Sequence, residues 1–505
     1  VAAFPELSLY LPLPGDDEKL LSSGRTGDDE YQRTVGAFFA IYWLMRVDNL
    51  GGREGFSFGV GDNWQCPPLS ELLGVGKASR NGGNFFALSS EEKQTSFFSK
   101  AKWHLFQQLF KDAGMITEEG QVDEERVLSM LVLTAVHDIM KAEIFCPKVQ
   151  KEHAPYRGYE AGDELLDHDL ALAYVLQFYP NLLPSVAGLS PDARRAVLFT
   201  QAKLDYNQGW LVQGESPPGI LFRTFKSVLN AERTVNKDIA FYFVHWVTDL
   251  AGAIPSPLAG AEKFVLKFPH AVLESFLMSF PVVKQLADKT ETAVFEDYLK
   301  MRWREHDPPL GEVPTDPSAI AQMRIICMAQ ANAVNSLAAF KKLSEADQQL
   351  LSVEMSRTAC AGATYSSTAE VVQAGEAFAP GGPAFLVYYG PALLQNGGGD
   401  DECVLKVLVE VYREARSLYP LGSSPEESTV TIRVDTIKEK PVATLHAAAE
   451  NEEIWLLVHH NVREAFVERA TVSKLNELAA HNRKFRVLNL RPARALARKP
   501  EARKE

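Results

Sequence analysis

From residue 89 to residue 360 the chain is punctuated by helix starts and stops, too closely spaced for anything but packed helices. Ser89-Ser90-Glu91-Glu92 is a capping box that opens a run to Gly114. In that run Phe97, Phe98, Ala101, Leu105 and Leu109 fall near helical spacing, with Trp103, Phe106 and Phe110 beside them. Asp123 caps a second helix that runs through Ile144 and stops at Pro147. A third spans Asp163 to Phe178, and Ser190-Pro191 opens a fourth through Tyr206. A fifth covers Thr234 to Ala251, ended by Gly252 and Pro255. Others follow at 260–279, 286–304, 317–341 behind Asp316, and 345–360 behind Ser344.

The flanks read differently. The first 30 residues, rich in Pro, Gly and Asp, predict an extended arm, followed by a helix over Asp28 to Arg46 and a long irregular loop over Gly51 to Ala87. After Ala361 the composition turns to Gly, Ala and Pro, with Gly397-Gly398-Gly399 closing the stretch. A helix over 400–417 follows, then Thr429 to Ile437 alternates with Val430, Ile432 and Val434 on one face. Ile454 to His459 and Phe485 to Leu490 read as strands, with a helix over 461–479 between them. The division expected is 1–88 (arm, helix and loop), 89–360 (helical domain), 361–400 (connection) and 401–505 (small α/β domain with a basic tail). The fold class expected is mainly α, a multi-helix bundle with a smaller C-terminal α/β appendage.

Charge and cysteine content narrow the function classes. A net charge of −13 argues against general nucleic-acid binding, because phosphate wants a positive surface. The five cysteines form no C-x-x-C pair, which favours a reducing intracellular compartment over a disulfide framework. No apolar run reaches the 18 residues or so that a membrane span needs. The chain begins at Val1, so a leader cannot be judged. There is no Walker loop, H-E-x-x-H, Rossmann G-x-G-x-x-G or G-x-S-x-G.

The histidines carry the chemistry. Seven of eleven lie between 104 and 306, in the helical block. His137 adjoins Asp138, His168 is flanked by Asp167 and Asp169, and His245 precedes Asp249 by four, so that both point from one helix face. Helices that project imidazole and carboxylate inward suit a divalent metal such as Zn, Mn, Mg or Fe, as one or two ions. An adjacent His-Asp pair on one helix diverges by ~100°, so the two reach one metal only at a helix crossing, or else bridge two neighbouring metals.

The order His104, His137-Asp138, Asp249 resembles the H…HD…D pattern of the HD superfamily of metal-dependent phosphohydrolases. His137-Asp138-Ile139-Met140-Lys141 is similar to that family's H-D-I-G-K stretch, with Met140 where the family has Gly. The resemblance covers residues 89–260. It implies an all-α HD-type fold, with His104, His137, Asp138 and Asp249 as metal ligands and Lys141 neutralising substrate phosphate. It also implies that His168 and His245 bind a second metal or act as general acid for the leaving oxygen. The expected substrate is a nucleotide or other phosphoester.

The stretch Lys203 to Lys226 runs through a Gly-Trp turn and a Pro-Pro-Gly break, and its Asn207, Trp210, Gln213 and Arg223 can line a substrate pocket. Two other readings compete with the hydrolase. Six His/Asp positions leave room for an HD-like di-iron oxygenase. A catalytically inactive helical scaffold, with a protein partner at the C-terminal domain, accounts for the Gly-rich inserts.

Overall fold

The helix starts obey their capping chemistry. Asp123, Ser190, Thr290, Ser344 and Asp400 each accept a hydrogen bond from the N–H three residues on. Each such cap contributes about 1 kcal/mol. The structure is a computed structural model. It describes residues 2–11, 20–46, 102–202, 204–232, 234–252, 270–368, 382–395, 400–434, 454–461, 464–471 and 485–488. The loop expected over 51–87, the opening of the helix expected from 89 and residues 260–269 of the helix expected over 260–279 lie outside them.

The chain is mainly α with a small C-terminal α/β part, and it divides into two units. The first holds Val1–Leu204 and Lys226–Ala287, the second Asp205–Phe225 and Asp288–Glu505, so no boundary falls at the expected residue 360. The helices of the first unit are α1 (Gly27–Arg46), α2 (Trp103–Asp112), α3 (Glu124–Val136), α4 (His168–Phe178), the single turn α5 (Pro184–Ala187) and α6 (Pro191–Gln201). The second unit then contributes α7 (Gln208–Val212), and α8 (Pro218–Glu232) passes from the second unit into the first. The first unit ends with α9 (Asn236–Gly252) and α10 (His270–Val283). The remaining helices of the second are α11 (Glu291–Arg304), α12 (Ala319–Ala329), α13 (Ala333–Phe340), α14 (Glu345–Met355), α15 (Gly390–Gln395) and α16 (Asp401–Leu418). Among the described residues no helix is long and apolar enough to cross a membrane.

In the first unit α9 is the axis. It buries Ile239, Phe241, Phe243, Val244 and Val247, and α1, α2 and α6 pack on it. The helices α1 and α9 meet backbone to backbone at Gly252, where a Cβ would stand 2.5 Å from the Arg33 carbonyl oxygen. The N-terminal segment is not an extended arm. Pro5–Tyr10 forms a 3-10 helix that buries Glu6, Leu7 and Tyr10. Glu6 holds it down by accepting from the Ser185 N–H at 2.8 Å and from the Ser185 hydroxyl at 2.6 Å.

In the second unit every residue of α12 is buried, its Gln322 and Arg324 included. The single helix expected over 317–341 breaks at Gln330, whose φ is +52°. The sheet has strands β1 (Ala384–Tyr388), β2 (Thr429–Arg433), β3 (Ile454–Asn461), β4 (Glu464–Thr471) and β5 (Phe485–Leu488) in the order β1-β2-β4-β3-β5. Strand β1, parallel to β2, lies in what composition marked as a connection. The helix expected over 461–479 is replaced at 464–471 by β4. Its residues form helices readily by themselves, but an eight-pair antiparallel ladder to β3 decides otherwise.

Glu296 on α11 gathers the 3-10 turn Ser366–Thr368, accepting from the Ser366 N–H at 2.7 Å and the Ser367 N–H at 3.0 Å. Burial would raise its carboxyl, but the Ser367 hydroxyl, Lys300 and Ser366 bond the charged form and hold it at about 2. The folded value lies below the ordinary one, so the stabilisation is complete above pH 4.5 and is lost as pH falls toward 2. That is worth on the order of 3 kcal/mol. Glu296→Gln will therefore lower stability to urea at pH 7, and the gap from wild type will narrow as pH drops below 4. An unchanged gap at pH 3 would refute this origin.

Candidate metal centre

The axial register of α3 and α9 builds the centre. At one end Arg126 donates to Asp238 at 2.8 Å, to the Ala113 and Lys237 carbonyls at 2.8 and 2.9 Å, and stacks over Phe241. Eleven residues separate Arg126 from His137, and eleven separate Asp238 from Asp249. At ~1.5 Å per helical residue both spans are about 16 Å, so the buried pin at the starts brings His137 and Asp249 level at the ends. His137 Nε2 lies 3.1 Å from Asp249 Oδ1.

The divergence of adjacent side chains is resolved by ending the helix. α3 stops at Val136, His137 caps it, and Asp138 leaves helical geometry with φ −108° and ψ 1°. The helix expected through Ile144 gives way to 3-10 turns at Ile139–Lys141 and Glu143–Phe145. Asp138 turns back so that its Oδ2 lies 3.2 Å from His137 Nε2. The donor atoms of His137, Asp138 and Asp249 all fall within 4.8 Å of one another.

His137 Nδ1 bonds the Thr134 carbonyl at 2.8 Å, which makes Nδ1 the N–H and leaves Nε2 between two carboxylates. Such a backbone bond commonly fixes the tautomer of a metal-binding histidine. A bare lone pair facing two anions needs a cation between them, either a proton or a metal. Burial lowers the His137 imidazole, but Asp138 and Asp249 overcome it and raise it well above the ordinary value. Burial likewise opposes the ionised Asp138, yet His137 and Lys141 hold it below the usual carboxylate range, and His137 does the same for Asp249, whose side chain is half exposed. Donor atoms 3.1–3.2 Å apart match an edge of a coordination sphere with bonds of about 2.1 Å. The donor set thus fits one divalent ion, with positions left open for water.

The neighbours complete the centre. Lys141 donates to Asp138 Oδ2 at 2.6 Å and to Glu30 Oε2 at 3.2 Å. His168 opens α4 behind its cap Asp167, with Nε2 at 3.7 Å from Asp138 Oδ1 and 3.5 Å from Asp169 Oδ1. His245 sits edge-on to His137 with ring centroids 4.9 Å apart, and its Nδ1 is buried without a hydrogen bond. Burial and the His137 charge push His245 down to about 4.

Other expected site residues lie outside the donor cluster among the described residues. His104 stands on the exposed side of α2, because Trp103, Phe106, Leu109 and Phe110 form the buried face, and it is no member of the donor cluster. Asn207, Trp210, Gln213 and Arg223 belong to the second unit. There Asn207 caps α7, Trp210 packs edge-on to Tyr388, Gln213 meets Gln395, and Arg223 binds the Ala359 and Glu427 carbonyls. The Gly-Trp turn lies in α7, and the Pro-Pro-Gly break opens α8.

Two residues at the centre were missed, Glu30 and Tyr10. Glu30 is fully buried on α1 and also meets Arg25 and Arg33. Its only sequence signal was an acid in the first turn, which reads as helix-dipole compensation. Tyr10 is 3% exposed, and the carboxylates of Asp138, Glu30 and Asp249 act on its phenol. Thr34 lies beside that phenol but gives its own proton to the Glu30 carbonyl at 3.0 Å. Among the described residues nothing in hydrogen-bonding geometry meets the Tyr10 hydroxyl. Tyr10→Phe should then leave stability unchanged or raise it by up to about 1 kcal/mol, since no bond is lost. A lower melting temperature would reveal a partner for it.

The family profile of a family of unknown function (DUF6829) matches residues 91–363. The chain belongs to that family. The match takes in His137, Asp138, Lys141, His168, His245 and Asp249, and leaves Tyr10 and Glu30 outside. No curated protein and no solved structure matches the chain.

Proposed function

We propose that the first unit is a metal-dependent phosphohydrolase of HD type, acting on a nucleotide or other phosphoester. The observation that carries this reading is His137 Nε2, left between the carboxylates of Asp138 and Asp249 by the bond from Nδ1 to Thr134. These three residues would hold the ion. A divalent ion there supplies a bound water of lowered pKa and a pull on a phosphoryl oxygen. Lys141 keeps Asp138 ionised and turned toward His137. His168, with a third of its side chain exposed, suits the donation of a proton to the leaving oxygen. His245, at about 4, is neutral at pH 7 and is set aside as general acid. Metal must displace the His137 proton, so affinity rises with pH.

One observation favours the inactive scaffold. Without any metal, Lys141 and a protonated His137 already pair with all three carboxylates, Glu30, Asp138 and Asp249. The di-iron reading has the weakest support, because His104 does not join the donors.

The deciding experiment is elemental analysis after loading with Mn²⁺, Zn²⁺ or Fe²⁺, beside hydrolysis of bis(p-nitrophenyl) phosphate, p-nitrophenyl phosphate and a nucleotide panel. Stoichiometric metal with metal-dependent turnover supports the hydrolase. Metal without turnover of any phosphoester overturns it. A visible absorption band from the iron-loaded protein points to the oxygenase, and absence of metal points to the scaffold.

A further inference from the structure

We infer that the centre takes one divalent ion rather than two, because the Lys141 ammonium is a resident second cation, clamped between Asp138 and Glu30. This rests on the metal reading above.

The geometry is that of a bound ion. Lys141 Nζ lies 2.6 Å from Asp138 Oδ2 and 3.2 Å from Glu30 Oε2. Only 12% of its side chain is exposed, against 10% for Asp138 and none for Glu30. A largely dehydrated ammonium between two buried carboxylates is a cation already resident on Asp138, the carboxylate that a second metal would have to share. The backbone holds it there as well, since the Lys141 carbonyl accepts from the Ser22 N–H at 2.9 Å. The clamp joins two distant parts of the chain, Glu30 on α1 and Lys141 on the 3-10 turn after α3.

Charge balance agrees. Once metal has displaced the His137 proton, the anions of the centre are Glu30, Asp138 and Asp249. One ammonium and one divalent ion neutralise them. Around them Arg33, at 3.6 Å from Glu30, and Arg25, at 3.5 Å, stand against Asp169, at 3.5 Å from His168, and the helix cap Asp167. A second divalent ion would leave the pocket with excess positive charge. Asp138 Oδ1 still faces His168, so removing the ammonium frees a carboxylate that two metals can share.

The test is metal stoichiometry and spectroscopy, independent of activity. Wild-type protein titrated with Mn²⁺ should bind one equivalent and give the spectrum of an isolated ion. Lys141→Gln should bind a second equivalent and show the exchange-coupled spectrum of a close pair. Lys141→Arg, which keeps a cation, should remain at one, and Lys141→Gln/Glu30→Gln should lose the second site again. Lys141→Met serves if the Gln variant fails to fold. Two equivalents in the wild type, or one in every folded Lys141 variant, would overturn the inference. No manganese in any protein would overturn it together with the metal reading, whereas one equivalent without phosphoester turnover would leave it standing and remove only the hydrolase.

Discussion

If the proposed metal-dependent hydrolase is correct, a His137→Ala/Asp138→Ala double variant will fail to bind the metal and will lose phosphoester turnover with it. The variant removes two of the three donors whose atoms lie within 4.8 Å of one another and leaves only Asp249. Even changes to residues that merely orient a ligand cost 10–100-fold in metal affinity, so removing two ligands costs more than about 100-fold. The loss can be read without a substrate. An ion at about 100 times its Kd stabilises the native state by about 2.7 kcal/mol. For a domain of this size that raises the melting temperature by roughly 5–10 °C. The wild type should show that rise on adding Mn²⁺ or Zn²⁺, and the double variant should show none. Asp138→Asn is the milder control, because it keeps the shape and removes the charge that faces both His137 and Lys141. Equal metal content in wild type and double variant would place the metal elsewhere.

The largest loss of stability is expected from Arg324→Ala in the second unit. Arg324 is fully buried in α12, and its guanidinium donates to the carbonyls of Gly214 at 2.8 Å, Met355 at 2.8 Å and Glu215 at 2.6 Å. One side chain thus ties the segment after α7 and the end of α14 to the central helix. Truncation leaves three buried carbonyls without a donor, at about 1–3 kcal/mol each, together with a cavity. The net cost is about 4 kcal/mol or more, a fall of roughly 10 °C in the second unit's transition. Arg324→Lys should recover only part of it, because a single ammonium cannot reproduce the planar fork. Melting of the two units followed separately, or proteolysis of the variant, checks this. A drop below 1 kcal/mol would mean that water replaces the guanidinium.

Much of the candidate metal centre was legible because its chemistry is local. His137-Asp138 amid apolar neighbours has no cheap burial without partners, and His245–Asp249 share a helix face by spacing alone. Lys141 one turn on from His137 was visible in the same way. His104 misled because an exposed and a buried position on one amphipathic helix are a residue apart, and Trp103 takes the buried one. Glu30 and Tyr10 were invisible because the centre residues they face, Lys141 for Glu30 and Asp138 for Tyr10, lie more than a hundred residues away in the chain.

The sequence by itself determined where the capped helices α3, α6, α14 and α16 begin, the mainly α class, and which titratable groups lacked an innocent explanation. Those are set by local terms, namely caps, breakers, periodicity and the cost of burying charge. Tertiary structure decided the rest. The eleven-residue register between the Arg126–Asp238 pin and the His137–Asp249 contact needs two helices side by side. The early end of α3, which lets adjacent side chains converge, answers to what surrounds it. Strand β4 exists through its ladder to β3, and Lys141 is a clamped cation through Glu30. Each of these depends on a partner far off in the chain, and no local propensity encodes the identity of that partner.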